Sequence, residues 1–125
     1  MKDESNDKIL WSLDLAVTLE ECDLDKFNEN SLPLLARKLT EVVDQANTEI
    51  VGIVNPFGAH NEDMKGWRLI HENLNSLITG HFILKSKKAY VNIHSCNPYK
   101  PSEAIFILTD FFGTDKFISQ KIYRE

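Results

Sequence analysis

The sequence lacks long apolar runs and basic clusters, and each absence excludes a class of protein. No stretch of its 125 residues approaches the roughly 20 apolar residues that are needed to cross a bilayer. Basic residues form no cluster, and the net charge is −5, so a nucleic-acid partner has little electrostatic support. We therefore expect a protein that binds neither a membrane nor nucleic acid, and whose partner is a small molecule.

Cysteine and histidine are also sparse. The two cysteines, Cys22 and Cys96, do not indicate a disulfide framework. The acidic neighbours of Cys22 predict a raised pKa and an inert thiol. The four histidines lack the close spacing of zinc ligands, so we expect no metal site. Residues 1–8 are polar and lack the apolar core of a secretory signal, which favours a flexible tail and a cytoplasmic location.

Residues 9–125 show alternating and helical patterns of apolar residues, and we expect them to form a single domain. Two segments carry apolar residues at helical spacing, and the others alternate or are rich in β-branched residues. Each helix has one apolar stripe, so both must cover one face of a largely antiparallel sheet, which predicts an α+β two-layer sandwich. The predicted strands are 9–17, 49–55, 67–73, 77–84, 88–95 and 115–123, and the predicted helices are 32–46 and 101–112.

The fifth predicted strand has a polar side. Ala89, Val91 and Ile93 alternate with three polar or aromatic residues, so they should face the core. The same alternation places Cys96 on the polar side, at the end of the strand. Functional side chains often stand at such an end.

Two sequence blocks at fixed spacing identify a family. Ser76 opens the first block, with Ile-Thr-Gly-His-Phe ending at Phe82; His81 follows Ser76 by five residues. The second block, Ala-Tyr-Val-Asn-Ile-His-Ser-Cys, ends at Cys96, twenty residues after Ser76. With Gly66-Trp67 before them and Phe-Phe-Gly at 111–113 after them, these blocks resemble the S-adenosylmethionine decarboxylases of the short prokaryotic and phage type.

The resemblance implies that the chain makes its own cofactor. Ser76 would attack the carbonyl of Asn75, the chain would break between them, and Ser76 would become a pyruvoyl group. His81 is implied as the base in this processing, and Cys96 as the proton donor in later catalysis. Five residues of flat strand would put Ser76 and His81 on opposite faces, so we expect a bend or bulge around Thr79–Gly80.

The resemblance further implies a substrate and an assembly. The substrate would be S-adenosylmethionine, whose decarboxylated product donates an aminopropyl group in polyamine and spermidine synthesis. Trp67, Glu72 and Asp14 are the candidate substrate-binding residues. Members of the family are usually homodimers, built edge to edge or face to face.

Departures from the family pattern leave two alternatives open. Asn75 stands where the family usually has Glu or Thr, and Arg68 stands where a Ser or Thr assists processing. One alternative is a homologous decarboxylase that acts on arginine or ornithine. The other is a non-catalytic homologue that binds or regulates a partner.

Overall fold

The computed structural model describes residues 12–44 and 48–125. Within these ranges the element order is strand, helix, four strands, helix, strand, as the sequence predicts. The predicted tail and the first residues of the first predicted strand lie outside the described residues. The strands are β1 (Ser12–Leu19), β2 (Glu49–Phe57), β3 (Gly66–Asn73), β4 (Ser76–Ile83), β5 (Lys88–Ser95) and β6 (Phe117–Arg124), and the helices are α1 (Leu32–Val43) and α2 (Pro101–Phe112).

The strands form one antiparallel sheet in the order β2-β3-β4-β5-β1-β6. The central strands β4 and β5 follow each other in the chain, and β1 lies beside β5. Both helices contact the same side of this sheet, which we call the inner face, and the opposite side is the outer face. The prediction of an α+β two-layer sandwich is confirmed.

Alternating burial along the strands explains why the sheet has two unlike faces. Along β1 every second residue is buried, and Ala89, Val91 and Ile93 of β5 are buried as predicted. These side chains meet the apolar stripes of the helices in one core. The fully buried bulky side chains of this core are Leu13, Leu15, Leu19, Leu32, Leu35, Leu39, Leu69, Ile78, Phe82, Ile93, Leu108 and Phe112.

Strand β4 is regular, and the predicted bend around Thr79–Gly80 is wrong. Its pairing with β3 and with β5 runs from one end to the other with no register shift. Gly80 instead leaves room for a neighbouring side chain, because a Cβ atom at this position would lie 2.5 Å from the ring of Phe82. Without a bend, side chains five residues apart on β4 point to opposite faces.

Helix α2 begins and ends at the predicted residues, whereas α1 begins as predicted and ends at Val43, before the predicted end, whose last two residues lie outside the described ones. Pro33 occupies the first turn of α1, although Ser31 makes no capping hydrogen bond with its side chain. Helix α2 starts at Pro101 and ends at Gly113, which takes the left-handed conformation with φ 64°. In the described part of the chain, neither helix is long and apolar enough to cross a bilayer.

Candidate functional site

The peptide bond between Asn75 and Ser76 lies in the tight connection from β3 to β4. The carbonyl oxygen of Asn75 accepts a hydrogen bond from the backbone N–H of Cys96, at 3.0 Å. A donor at a carbonyl oxygen withdraws electrons from the carbonyl carbon and stabilises an oxyanion that forms there. The two sequence blocks therefore meet at this peptide bond, through the backbone of Cys96.

The hydroxyl of Ser76 is held on the inner face. Ser76 is buried, and its Oγ donates to Oδ2 of Asp44 at 2.7 Å. Asn73 also donates from Nδ2 to this Oγ, at 3.3 Å. The same Asp44 oxygen accepts the backbone N–H of Asn75, at 2.9 Å. One carboxylate oxygen thus fixes both residues of the peptide bond.

Asp44 caps the C-terminal end of α1 and is almost fully buried, with 1% of its surface exposed. Its backbone oxygen accepts a hydrogen bond from Nδ2 of Asn97, at 2.5 Å. Its other carboxylate oxygen, Oδ1, is buried and has no hydrogen-bond partner in the part of the chain that the structure describes. Sequence reasoning missed this residue, because the contact joins positions 32 residues apart and depends on where α1 ends over the sheet.

The thiol of Cys96 is exposed and lies on the outer face, opposite to the Ser76 hydroxyl. Beside it on this face is a series of polar side chains that hydrogen-bond to one another. Its Sγ is 3.8 Å from Nε2 of His94, and Nδ1 of His94 makes a short hydrogen bond to Asp14. Arg124 donates from Nε to the second oxygen of Asp14, at 2.6 Å. Although burial opposes ionisation, the hydrogen bonds from His94 and Arg124 lower the pKa of the Asp14 carboxyl. A carboxylate only accepts, so Nδ1 of His94 carries the proton.

His81 lies on the outer face and is not next to Ser76 within one chain. Its ring stacks on Phe57 with centroids 4.4 Å apart, and its neighbour across β3 is Arg68. Regular strand geometry puts it roughly 16 Å along β4 from Ser76. The guanidinium of Arg68 lies 5.9 Å from the centre of the Phe57 ring, and its Nε is buried with no hydrogen-bond partner among the described residues.

The three residues that the resemblance implies for substrate binding are divided between the faces. Asp14 and Glu72 stand on the outer face, whereas Trp67 packs against the core on the inner face. Glu72 pairs with Leu77, Leu77 with His94, and His94 with Asp14, so they form one row across four strands. That row places the two carboxylates roughly 15 Å apart.

A pocket of about 210 Å³ opens on the outer face near the candidate peptide bond. Ligand pockets of drug size are roughly 300–1,000 Å³, so this volume is too small to enclose such a molecule. Leu77, the residue after Ser76, is part of its wall. This outer-face pocket is lined chiefly by Asp14, Leu77, Thr79, Asn92, His94 and Ile122.

Two other expectations concern the thiol of Cys22 and the possibility of a metal site. Burial raises the pKa of the Cys22 thiol to about 11, so the predicted direction is confirmed, but burial rather than the acidic neighbours is the cause. Within residues 12–44 and 48–125, no group of three or more His, Cys, Asp and Glu side chains is arranged to hold a metal ion.

Comparisons with known proteins agree with the fold described above. The family model of S-adenosylmethionine decarboxylase matches residues 13–125. The chain belongs to the S-adenosylmethionine decarboxylase family. Membership implies a decarboxylase. The fold is similar to the crystal structure of the adenosylmethionine decarboxylase from Aquifex aeolicus VF5, with a TM-score of 0.71 and 16% identity, over 94% of this chain and 92% of that chain. No curated protein matches the sequence.

The surroundings of Ser76 fit the pyruvoyl group that this family forms from a serine. Formation needs a hydroxyl held beside the preceding carbonyl and a donor for the oxyanion. Asp44 holds the Ser76 hydroxyl, and the N–H of Cys96 points at the Asn75 carbonyl oxygen. Residue 76 would then begin a new chain whose next residue, Leu77, lines the outer-face pocket.

Proposed function

We propose that this chain is a self-processing, pyruvoyl-dependent decarboxylase that converts S-adenosylmethionine to the aminopropyl donor used in polyamine and spermidine synthesis. The observation that carries the proposal is the arrangement at Asn75–Ser76. A hydroxyl fixed by two hydrogen bonds and a carbonyl with its own donor stand at the same peptide bond.

In this proposal, Cys96 contributes in two ways. Its backbone N–H stabilises the oxyanion when the hydroxyl of Ser76 attacks the Asn75 carbonyl. Its exposed thiol later donates a proton to the carbon that loses its carboxylate. His94 lies close enough to return a proton to this thiol, and Asp14 orients the His94 ring.

The pyruvoyl group supplies a carbonyl that accepts the electrons released when the carboxylate of the substrate leaves. The chain's own residues bind and orient the substrate. The substrate carries a sulfonium and an amine, and the carboxylates of Asp14 and Glu72 provide negative charge on the outer face. Trp67, on the inner face, contributes only as support for β3 beside the core.

We also propose a homodimer in which the outer faces of two copies meet. The inner face is covered by the helices, whereas the outer face exposes aliphatic side chains in a row of strands. A second copy would enlarge the outer-face pocket, which alone is too small for the substrate. The most exposed of these aliphatic side chains are Ile53, Leu77, Ile118 and Ile122.

A face-to-face dimer also gives His81 a route to the processing site. Within one chain the regular strand keeps His81 away from Ser76, so we propose that it acts on the α-proton of Ser76 from the second copy. Mixing the H81A and S76A precursors tests this, because cleavage of the H81A chain should appear only in the mixture. Cleavage of H81A alone at the wild-type rate would contradict the role of His81.

Release of carbon dioxide from carboxyl-labelled substrate tests the reaction. We expect release from S-adenosylmethionine that exceeds release from arginine and from ornithine, and none from the S76A variant, which keeps the fold but cannot form the cofactor. Greater release from arginine or ornithine would show that the proposed substrate is wrong. No release from the wild type with any of the three would refute the proposal that the chain is a decarboxylase.

A non-catalytic homologue that binds a partner is the second candidate. The regular pairing of β4 favours it, because a single chain does not bring His81 to Ser76. The two candidates differ in one respect that needs no substrate: only the enzyme precursor becomes two chains.

A further inference from the structure

We propose that Asp44 is the general base that activates the Ser76 hydroxyl during self-processing. The inference rests on the proposed function, because it concerns the reaction that would form the cofactor. It adds a catalytic residue, from the end of α1, to the serine, histidine and cysteine that the sequence blocks indicate.

The geometry places Asp44 on the reacting atom. Its Oδ2 lies 2.7 Å from Oγ of Ser76, within the range in which a base takes a proton. The carboxylate is buried, so bulk water does not compete for the hydroxyl. Nδ2 of Asn73 donates to the same Oγ at 3.3 Å, and this donor would stabilise negative charge as the proton leaves.

The second carboxylate oxygen of Asp44 stands outside these hydrogen bonds. Among residues 12–44 and 48–125, Oδ1 of Asp44 is buried and has no hydrogen-bond partner, although buried polar atoms are rarely left without one. A carboxylate side chain only accepts hydrogen bonds, so it cannot cap the free carbonyls at the end of α1, and the hydrogen bonds of Asp44 go to Asn75 and Ser76 instead. With Oδ2 on the hydroxyl and the lone pairs of Oδ1 unused, the carboxylate can take the proton of Ser76.

The proton and the electron pairs balance through this carboxylate. Oγ of Ser76 forms a bond to the carbonyl carbon of Asn75, and its proton passes to Asp44. The bond from that carbon to the nitrogen of Ser76 then breaks, and Asp44 returns the proton to the leaving nitrogen, which gives an ester and a free amine. His81 of the second copy takes the α-proton of Ser76, and the bond between Cβ and Oγ breaks with its electron pair on the oxygen. Residue 75 leaves as a carboxylate, and hydrolysis of the remaining fragment consumes water and releases ammonia.

The matched pair D44N and E41Q tests the proposal on freshly translated full-length precursor. Asparagine keeps an acceptor oxygen at the place of Oδ2, so the hydrogen bonds and the fold remain, but it cannot take the proton. Glu41 is an exposed carboxylate on the same helix, and E41Q controls for the loss of charge. Gel time courses should show that D44N cleaves about 100-fold more slowly than wild type and that E41Q cleaves at the wild-type rate.

Two further comparisons distinguish a general base from a residue that only holds the structure in place. Hydroxylamine cleaves the ester as it forms, so it reports the acyl shift apart from the later elimination, and D44N should remain slow in its presence. A thiol needs less help from a base than a hydroxyl, so D44N should slow a Ser76→Cys precursor much less than it slows wild type. If D44N does not fold, the D44E and D44Q pair gives the same comparison, with D44E the faster.

The outcomes distinguish this inference from the proposed function. A wild-type precursor that never cleaves overturns both. Cleavage of wild type and D44N at equal rates overturns the role of Asp44 and leaves the proposed function standing. An equal penalty of D44N in the serine and the cysteine precursors also overturns it, because a structural brace would act on both alike.

Discussion

Replacing Cys96 by proline and by alanine separates the backbone of this residue from its thiol. Alanine removes the thiol and keeps the N–H that points at the Asn75 carbonyl, whereas proline removes both. Ser95, the last residue of β5, has the extended backbone that a following proline requires. Proline removes the hydrogen bond of 3.0 Å and puts its ring Cδ where the amide hydrogen stood, so the comparison is made on C96P protein that is shown to be folded.

The expected magnitudes make the comparison decisive. Removal of one oxyanion donor slows acyl transfer by roughly 10²–10³-fold, or about 3–4 kcal/mol in the barrier. The same hydrogen bond contributes only about 0.5–1.5 kcal/mol to the free energy of unfolding. Because the free energy of unfolding of a domain is about 5–15 kcal/mol, the protein stays folded without this bond. C96P should therefore remain folded while it loses self-cleavage.

Gel time courses on fresh precursors measure cleavage, and thermal melts measure stability. We expect C96A to cleave near the wild-type rate and yet to fail in carbon dioxide release, whereas C96P should remain one chain. Equal cleavage of folded C96P and C96A would refute the reasoning, because the N–H of Cys96 would then have no part in processing.

Further predictions follow from the two cysteines and from Asp14. Iodoacetamide at pH 8 should label Cys96, which is exposed, and spare Cys22, whose pKa is about 11 and whose side chain is buried; equal labelling in the native protein would contradict the packing. Because the pKa of Asp14 is lower in the folded protein, its carboxylate stabilises the fold above its unfolded pKa, roughly 3.9, and this stabilisation is lost as the pH falls through the lower folded value. Wild type should thus unfold at higher denaturant than D14N at pH 7, with the difference shrinking below pH 4; a constant difference would show that charge is not the cause.

The sequence predicts the layers and the faces of this protein because both follow from local periodicity. The alternation in β5 correctly assigns Ala89, Val91 and Ile93 to the core, and the one-sided stripes of the helices require a covered inner face. The bend in β4 was predicted only to bring His81 to Ser76. The uninterrupted pairing on both sides of the strand shows that hydrogen bonding to two neighbours determines its path.

The contacts of the site could not be read from the sequence, since they depend on long-range placement. Asp44 meets Ser76 because α1 crosses the sheet and ends above the start of β4. His94 meets Asp14 because of the register between β5 and β1, which no local pattern specifies. Both residues have ordinary sequence contexts, so only the fold distinguishes them from other carboxylates and imidazoles.

Intact-protein mass spectrometry on freshly purified full-length chain and its S76A variant tests self-cleavage most directly. The account predicts two chains from the wild type, residues 1–75 with a free carboxylate and residues 76–125 with an N-terminal pyruvoyl group, and a single uncut chain from S76A. A wild type that stays at the mass of 125 uncut residues in every preparation would contradict it.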